Sequence, residues 1–169
     1  MAETSFQPAE IIAALERHAV RYIVIGGLAA TLHGSPVMAK DADICPAREG
    51  ENLEQLARAL VELRARIRTP GVPEGLAFAC DATFLSRIEV ALNLTTRFGD
   101  LDVPSGTNGF EDLRQHAVTM SLMGGPVAVA SLADVIRSKE AANRPKDRAA
   151  LPALRLLLKQ LQTRGGDRI

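Results

Sequence analysis

The sequence predicts a single α/β or α+β domain, and three observations predict it. Short β-branched runs stop at glycine or proline, as in Tyr22-Ile23-Val24-Ile25 before Gly26-Gly27. Stretches of helical period are interleaved with them, most clearly over Glu51 to Arg66. No internal repeat, low-complexity stretch or long linker divides the 169 residues. One domain spanning 1–169 is expected, with a core over about 21–130 and C-terminal helices over about 131–163.

Taken in order, the first element is a helix from about Pro8 to Val20. Pro8 suits its first turn, and Ile11, Ile12, Leu15 and Val20 recur with helical spacing. Tyr22 to Ile25 is a buried strand, and Leu28 to His33 a short helix ended by Gly34 and the Ser35-Pro36 turn. Asp41 to Cys45 reads as a second short strand closed by Pro46. Glu51 to Arg66 is amphipathic, with Leu53, Leu56, Leu60, Val61 and Leu63 on its apolar side. Thr69 to Gly75 reads as a loop. Ile88 to Thr95 and Phe98 to Val103 read as strands, Pro104 to Asn108 as a turn, and Phe110 to His116 as a short helix. Val118 to Leu122 and Val127 to Ala130 form a hairpin around Gly124-Gly125. Ser131 caps a helix running to about Asn143, with Asp134 in its first turn. A last helix runs from about Lys146 to Gln162, with Pro152 tolerated near its start or as a kink.

Composition excludes several classes. Lys plus Arg equals Asp plus Glu, 20 each, so the chain lacks the net basic charge of a protein that coats nucleic acid. Its two cysteines, Cys45 and Cys80, make neither a disulfide scaffold nor a zinc spacing. The N-terminal residues resemble no signal peptide, and no apolar run is long enough to span a membrane. A reducing cytoplasm is the expected compartment. Aromatics are only 4% of the chain, so its core must be built from Leu, Val, Ile and Ala.

The chemistry is concentrated between Gly26 and Asp43. A strand ends in Gly26-Gly27 and a helix starts directly after it. Glycine lets backbone approach a ligand closely, and a helix start presents unpaired N–H groups that suit phosphate oxygens. Asp41 and Asp43 lie two apart on an expected strand, which puts both carboxylates on one face. Such a pair repels itself unless a cation lies between its members. Mg²⁺, with Mn²⁺ as the alternative, is the fitting ion, its shell completed by phosphate and water. Two such ions roughly 3.5–4 Å apart can clamp an in-line phosphoryl displacement.

Gly26-Gly27-Leu28-Ala29-Ala30, then His33-Gly34-Ser35-Pro36 leading to Asp41-Ala42-Asp43-Ile44, resembles the signature of the DNA polymerase β-like nucleotidyltransferases. Within that superfamily it looks like the small bacterial branch related to AbiEii-type toxin proteins. Ser131 to Asp147 resembles the tail motif of the same branch, so the likeness covers about 21–152. It implies a mixed sheet flanked by helices, with NTP held between the glycine turn and three carboxylates. The third carboxylate would be Asp102, with Asp100 on the same strand face as its competitor. Asp41 and Asp43 would hold both metals, and Asp102 would bind the catalytic one and help activate the attacking hydroxyl. Gly26 and Gly27 would meet the triphosphate, and Lys139, Arg144 and Lys146 would stand near it or near the acceptor. Relatives of the branch commonly carry Arg and Thr in the turn before the first aspartate, where this chain has Val37 and Ala39. Their usual Gly-Ser is Gly-Gly here.

The remaining polar residues have ordinary readings. His33 packs or caps, Lys40 faces solvent, and Cys45 is a small core residue. Asp134 belongs to a helix start, Asp147 caps or pairs locally, and Glu140 pairs with Arg144 at i,i+4. The expected activity is transfer of a nucleoside monophosphate from an NTP to a hydroxyl of RNA, protein or a small molecule, with release of pyrophosphate. A toxin-like setting would add a neutralising, antitoxin-like protein partner. The rival is a nucleotide-binding or protein-interaction module of the same fold without turnover, which the altered turn at Val37 and Ala39 favours. A dinucleotide-binding oxidoreductase does not fit, because no Gly-x-Gly-x-x-Gly follows the first strand.

Overall fold

The computed structural model describes residues 5–104, 109–122 and 124–166. Helix α1 (Pro8–Arg17) buries Ile11, Ile12, Ala14 and Leu15, and strand β1 (Tyr22–Ile25) follows it. Then come α2 (Gly26–Leu32), β2 (Ala42–Pro46) and α3 (Gly50–Glu62). A hairpin of β3 (Arg66–Thr69) and β4 (Val72–Leu76) leads through α4 (Ala82–Arg87) to β5 (Leu92–Thr96) and β6 (Gly99–Val103). Beyond α5 (Gly109–Arg114), the strands β7 (Val118–Leu122) and β8 (Gly125–Val129) pair with each other. The chain closes with α6 (Leu132–Ala142) and α7 (Pro145–Gly166).

The eight strands make one mixed sheet in the order β4-β3-β5-β6-β2-β1-β8-β7. β2 runs parallel to β6 and β1 parallel to β8, while the other neighbours are antiparallel. The expected α+β fold with a mixed sheet and flanking helices is therefore what forms. β1 is buried along nearly its whole length, as expected for a strand covered on both faces. β5 and β6 instead alternate. Leu92, Leu94, Leu101 and Val103 are buried, while Asn93, Asp100 and Asp102 lie on an open face. On the closed side α3 contributes Leu56 and Leu60, followed by Leu63, all fully buried; each such side chain contributes roughly 1.5–3 kcal/mol relative to exposure.

Several boundaries differ from the sequence expectation. The helix expected to reach Arg66 stops at Glu62, because Arg64 takes a left-handed conformation (φ 55°) and turns the chain into β3. The stretch expected as a loop, 69–75, is the β3–β4 hairpin, turned at Pro70-Gly71 with Gly71 at φ 82°. Pro73 is tolerated there because β4 is an edge strand. The strand expected from Ile88 begins only at Leu92, because α4 precedes it, its N-terminus capped by Asp81, which accepts from the Phe84 N–H. The first helix ends at Arg17, three residues early, and the last begins at Pro145 and runs on to Gly166. Of the expected turn Pro104–Asn108, residues 105–108 lie outside the described residues, as does Met123 in the β7–β8 turn. No helix among the described residues is long and apolar enough to cross a membrane.

Candidate active site

β2 and β6 run side by side with Asp43 directly opposite Asp102. Asp41 enters just ahead of β2, and its carboxylate joins them. One oxygen from each of Asp41, Asp43 and Asp102 lies within 4.8 Å of the other two. All three residues are partly buried. Asp100 is two residues earlier on β6 and stays outside this group. Its side chain is 40% exposed and pairs with Arg68 at 3.1 Å.

The glycine turn is built around the same carboxylates. β1 places Ile25 opposite Asp43, and Gly26 then adopts φ 63° to open α2. A side chain on Gly26 would put its Cβ 2.5 Å from Asp43 Oδ2, so only glycine lets this carboxylate lie across the turn. Gly27 is not constrained in this way; the nearest atom to a Cβ there is that of Ala39, 4.0 Å away. The Thr31 hydroxyl ties the following loop down by donating to the carbonyls of Gly27 (3.0 Å) and Val37 (3.1 Å). Val37 itself is turned outward, 65% exposed, with Met38 beside it at 74%.

Negative charge dominates the electrostatics of the site. Burial, then the charges of Asp41 and Asp102, push the Asp43 carboxyl up to about 7, against the pull of Lys146 and Lys139. Burial also raises Asp102, opposed by Arg68. A set of hard oxygen donors this close, with one member driven to hold a proton by burial and then by its neighbours' charges, fits a divalent cation such as Mg²⁺.

The basic tail divides. Lys139, Arg144 and Lys146 are brought towards the acidic group, as their influence on Asp43, or that of Asp43 on them, shows. Two of them, Lys139 and Arg144, are held by Asp147, whose side chain is fully buried and meets Arg144 Nε at 2.7 Å and Lys139 Nζ at 3.6 Å. The Arg144 hydrogen bond is the main reason that the Asp147 carboxyl titrates below the usual carboxylate range. Arg137 and Arg148 are engaged elsewhere, with Asp134 and with Asn143. Glu140 does not pair with Arg144 as expected. The chain breaks between them, with Asn143 left-handed and Pro145 starting α7, so Glu140 meets Arg155 at 3.6 Å and Arg144 turns to Asp147.

The ordinary readings hold for the other residues. His33 Nε2 donates to the Ala130 carbonyl at 2.8 Å and fastens α2 to the end of β8. Lys40 is exposed. Cys45 is buried, and burial pushes its thiol up to about 11, so it is not a reactive thiolate. The Ser131 hydroxyl caps α6 by accepting from the Asp134 N–H. Sequence reasoning missed Arg68, which fell between an expected helix and an expected loop. The alternation Arg66-Ile67-Arg68-Thr69 is the signal that marks a strand with two arginines on one face. It also missed a cleft of about 990 Å³ lined by Asp100 together with Phe6, Met38, Lys40, Glu74 and Thr95.

This backbone has the nucleotidyltransferase fold. It is similar to the lincosamide antibiotic adenylyltransferase LnuA in its lincomycin-bound form, with a TM-score of 0.60 at 12% identity over 92% of this chain and 99% of that one. It is also similar to ANT(2″)-Ia in complex with adenylyl-2″-tobramycin, with a TM-score of 0.56 at 16% identity over 89% and 85% of the two chains. A Thermotoga maritima protein taken for a nucleotidyltransferase gives 0.52 at 17% identity over 94% and 98%. At such identities the likeness is one of fold. No family model matches the sequence, and no curated protein matches it.

Proposed function

We propose that this protein transfers a nucleoside monophosphate from an NTP to an acceptor hydroxyl in a reaction dependent on Mg²⁺ or Mn²⁺. The observation that carries this reading is the convergence of Asp41, Asp43 and Asp102 within 4.8 Å across the turn that Gly26 makes possible. Asp41 and Asp43, on the chain segment that follows the glycine turn, would hold the cation against the triphosphate, with Asp102 completing the set. Bound there, the cation would neutralise phosphate charge and make a neighbouring hydroxyl easier to deprotonate.

The chain's own residues have the remaining work. The backbone of Gly26 and Gly27 meets the triphosphate. Lys139, Arg144 and Lys146 balance the charge of the departing pyrophosphate. The acceptor reaches the α-phosphorus from the Asp100 cleft, Asp102 helps activate its hydroxyl, and the proton released passes to solvent. The new bond joins acceptor oxygen to the α-phosphorus, and the bond to pyrophosphate breaks. Of the two adenylyl-transfer neighbours, one is lincomycin-bound and the other is in complex with adenylyl-2″-tobramycin, and a cleft of about 990 Å³ is large enough for a small-molecule acceptor or for one unpaired nucleotide of an RNA. The motif spacing also supports membership of the AbiEii-related branch, which brings with it a neutralising protein partner. Labelled NTP incubated with Mg²⁺ and separate RNA, protein and small-molecule fractions of a lysate distinguishes the acceptors.

Thermal unfolding tests the core of the proposal. NTP with Mg²⁺ is expected to raise the melting temperature, NTP alone to raise it hardly at all, and Asp41→Asn with Asp43→Asn to abolish the rise. An unchanged shift in the double variant would overturn the assignment. The module without turnover remains the second reading, favoured by Val37 and Ala39 in place of polar side chains. It shares the NTP shift but gives no labelled product with any fraction.

The tail separates in the same assay. Lys139, whose side chain is only 18% exposed, is expected to lose about tenfold in NTP–Mg²⁺ affinity on replacement by alanine, as for one charge-assisted contact. The more exposed Arg144 should lose less, and the salt dependence of both should be shallow. Equal, unchanged affinity in both variants would make the cluster a solvated surface.

A further inference from the structure

Arg68 reaches the acidic group from β3, two strands away from β6. The register explains how. Arg66 lies opposite Thr95, and Thr95 opposite Asp100, so alternate residues of β3 and β6 share the open face with Asp102. The guanidinium is fixed by three acceptors. Nη1 donates to the Leu94 carbonyl at 3.2 Å and meets Asp100 Oδ2 at 3.1 Å, while Nη2 donates to Asp102 Oδ1 at 2.8 Å. A planar donor fork held at two points directs its third contact along one line.

Building on the metal-dependent reading above, we propose that Arg68 is a positioning residue for the third carboxylate. It occupies Asp102 Oδ1 and leaves Oδ2 as the single oxygen offered to the cation. A carboxylate held in this way cannot swing round to present both oxygens, so the place of the cation relative to Asp41 and Asp43 is set by a residue that does not touch it.

Two effects of Arg68 oppose each other. Its charge repels a cation, and its hydrogen bond orients the ligand. The repulsion is the weaker of the two, because Asp100 already neutralises the guanidinium at 3.1 Å and the side chain is 35% exposed to screening solvent. Removing a residue that orients a metal ligand typically lowers metal affinity by about 10–100-fold.

Titration of the full chain with Mn²⁺ alone, followed by electron paramagnetic resonance, tests this. Wild type is expected to bind Mn²⁺ saturably, and Asp41→Asn with Asp43→Asn to lose that binding. Arg68→Met combined with Asp100→Asn removes a cation and an anion together, so the charge of the site is unchanged. This charge-balanced variant is expected to bind about 10–100-fold more weakly, with its unfolding temperature in the absence of metal little altered. Arg68→Lys, which can donate to Asp102 but cannot span all three acceptors, should fall between the two. Binding by the charge-balanced variant within about twofold of wild type, or tighter, overturns the role of Arg68 while leaving the metal site standing. If the charge-balanced variant does not fold, undiminished binding by Arg68→Lys overturns it equally. Absence of Mn²⁺ binding in wild type removes the metal-dependent reading, and this inference with it.

Discussion

Asp102→Ala is expected to reduce nucleotidyl transfer by about 10²–10⁴-fold while the stabilisation by NTP and Mg²⁺ largely persists. The two effects separate because the three carboxylates have different surroundings. Asp41 and Asp43 come from the segment that the glycine turn packs against, with Asp43 Oδ2 lying over Gly26, so they stand where the triphosphate is expected. Asp102 comes from β6, two residues beyond Asp100, which lines the cleft, so its loss is expected to fall on the acceptor hydroxyl. Asp100→Asn is the control. It removes a charge that is half in solvent and outside the group of three, and transfer should stay within about tenfold of wild type. Single-turnover transfer from labelled NTP measures both. Harmless Asp102→Ala with inactive Asp100→Asn would reverse the assignment.

The parts of this arrangement that could be read in the sequence are local ones. Tyr22 to Ile25, the Gly26-Gly27 turn and Asp41-Ala42-Asp43 are contiguous signals, and β1, α2 and β2 form close to where periodicity and glycine place them. Ser131 announces α6 because a cap and its helix are neighbours in sequence. The β3–β4 hairpin was illegible for a physical reason. Pro70, Gly71, Pro73 and Gly75 weaken every strand signal, and only the edge position of β4 makes Pro73 acceptable. Gly75 itself is needed because a Cβ there would lie 2.9 Å from the Ile67 carbonyl, a contact between strands. α4 is six residues long and is stabilised more by its Asp81 cap than by any apolar period. The site divides in the same way. Spacing alone puts Asp41 beside Asp43. The choice of Asp102 over Asp100 depends on how β6 aligns with β2, and the partners of Arg68 and Asp147 depend on contacts across the fold.

Without metal, wild type is expected to become less stable relative to Asp43→Asn as the pH rises from about 4 to about 8. In the unfolded chain Asp43 titrates near its ordinary 3.8, whereas in the folded protein it holds its proton up to about 7. Between those values the folded state binds a proton that the unfolded state has released, so each step up in pH favours unfolding. This contribution to stability is fully present below about 3.8 and is lost by the time the pH has passed through about 7. One pKa unit corresponds to about 1.4 kcal/mol, and the partial opening of the site to solvent reduces the whole effect to something on the order of 2 kcal/mol. The causes are burial and the facing charges of Asp41 and Asp102, with Lys146 and Lys139 acting against them. The amide that replaces the carboxylate in Asp43→Asn has no charge to desolvate or repel. The variant should therefore match wild type near pH 4 and exceed it by about 2 kcal/mol at pH 8 in chelator. Millimolar Mg²⁺ should recover much of that difference in wild type and add little to the variant, because the cation supplies the positive charge that the proton gives at low pH. Urea unfolding at the two pH values, with and without Mg²⁺, measures all four terms. A variant less stable than wild type at pH 8 in chelator, or a gap that does not change with pH, would mean that the three carboxylates do not strain the empty site, and the electrostatic argument for a cation among them would fail.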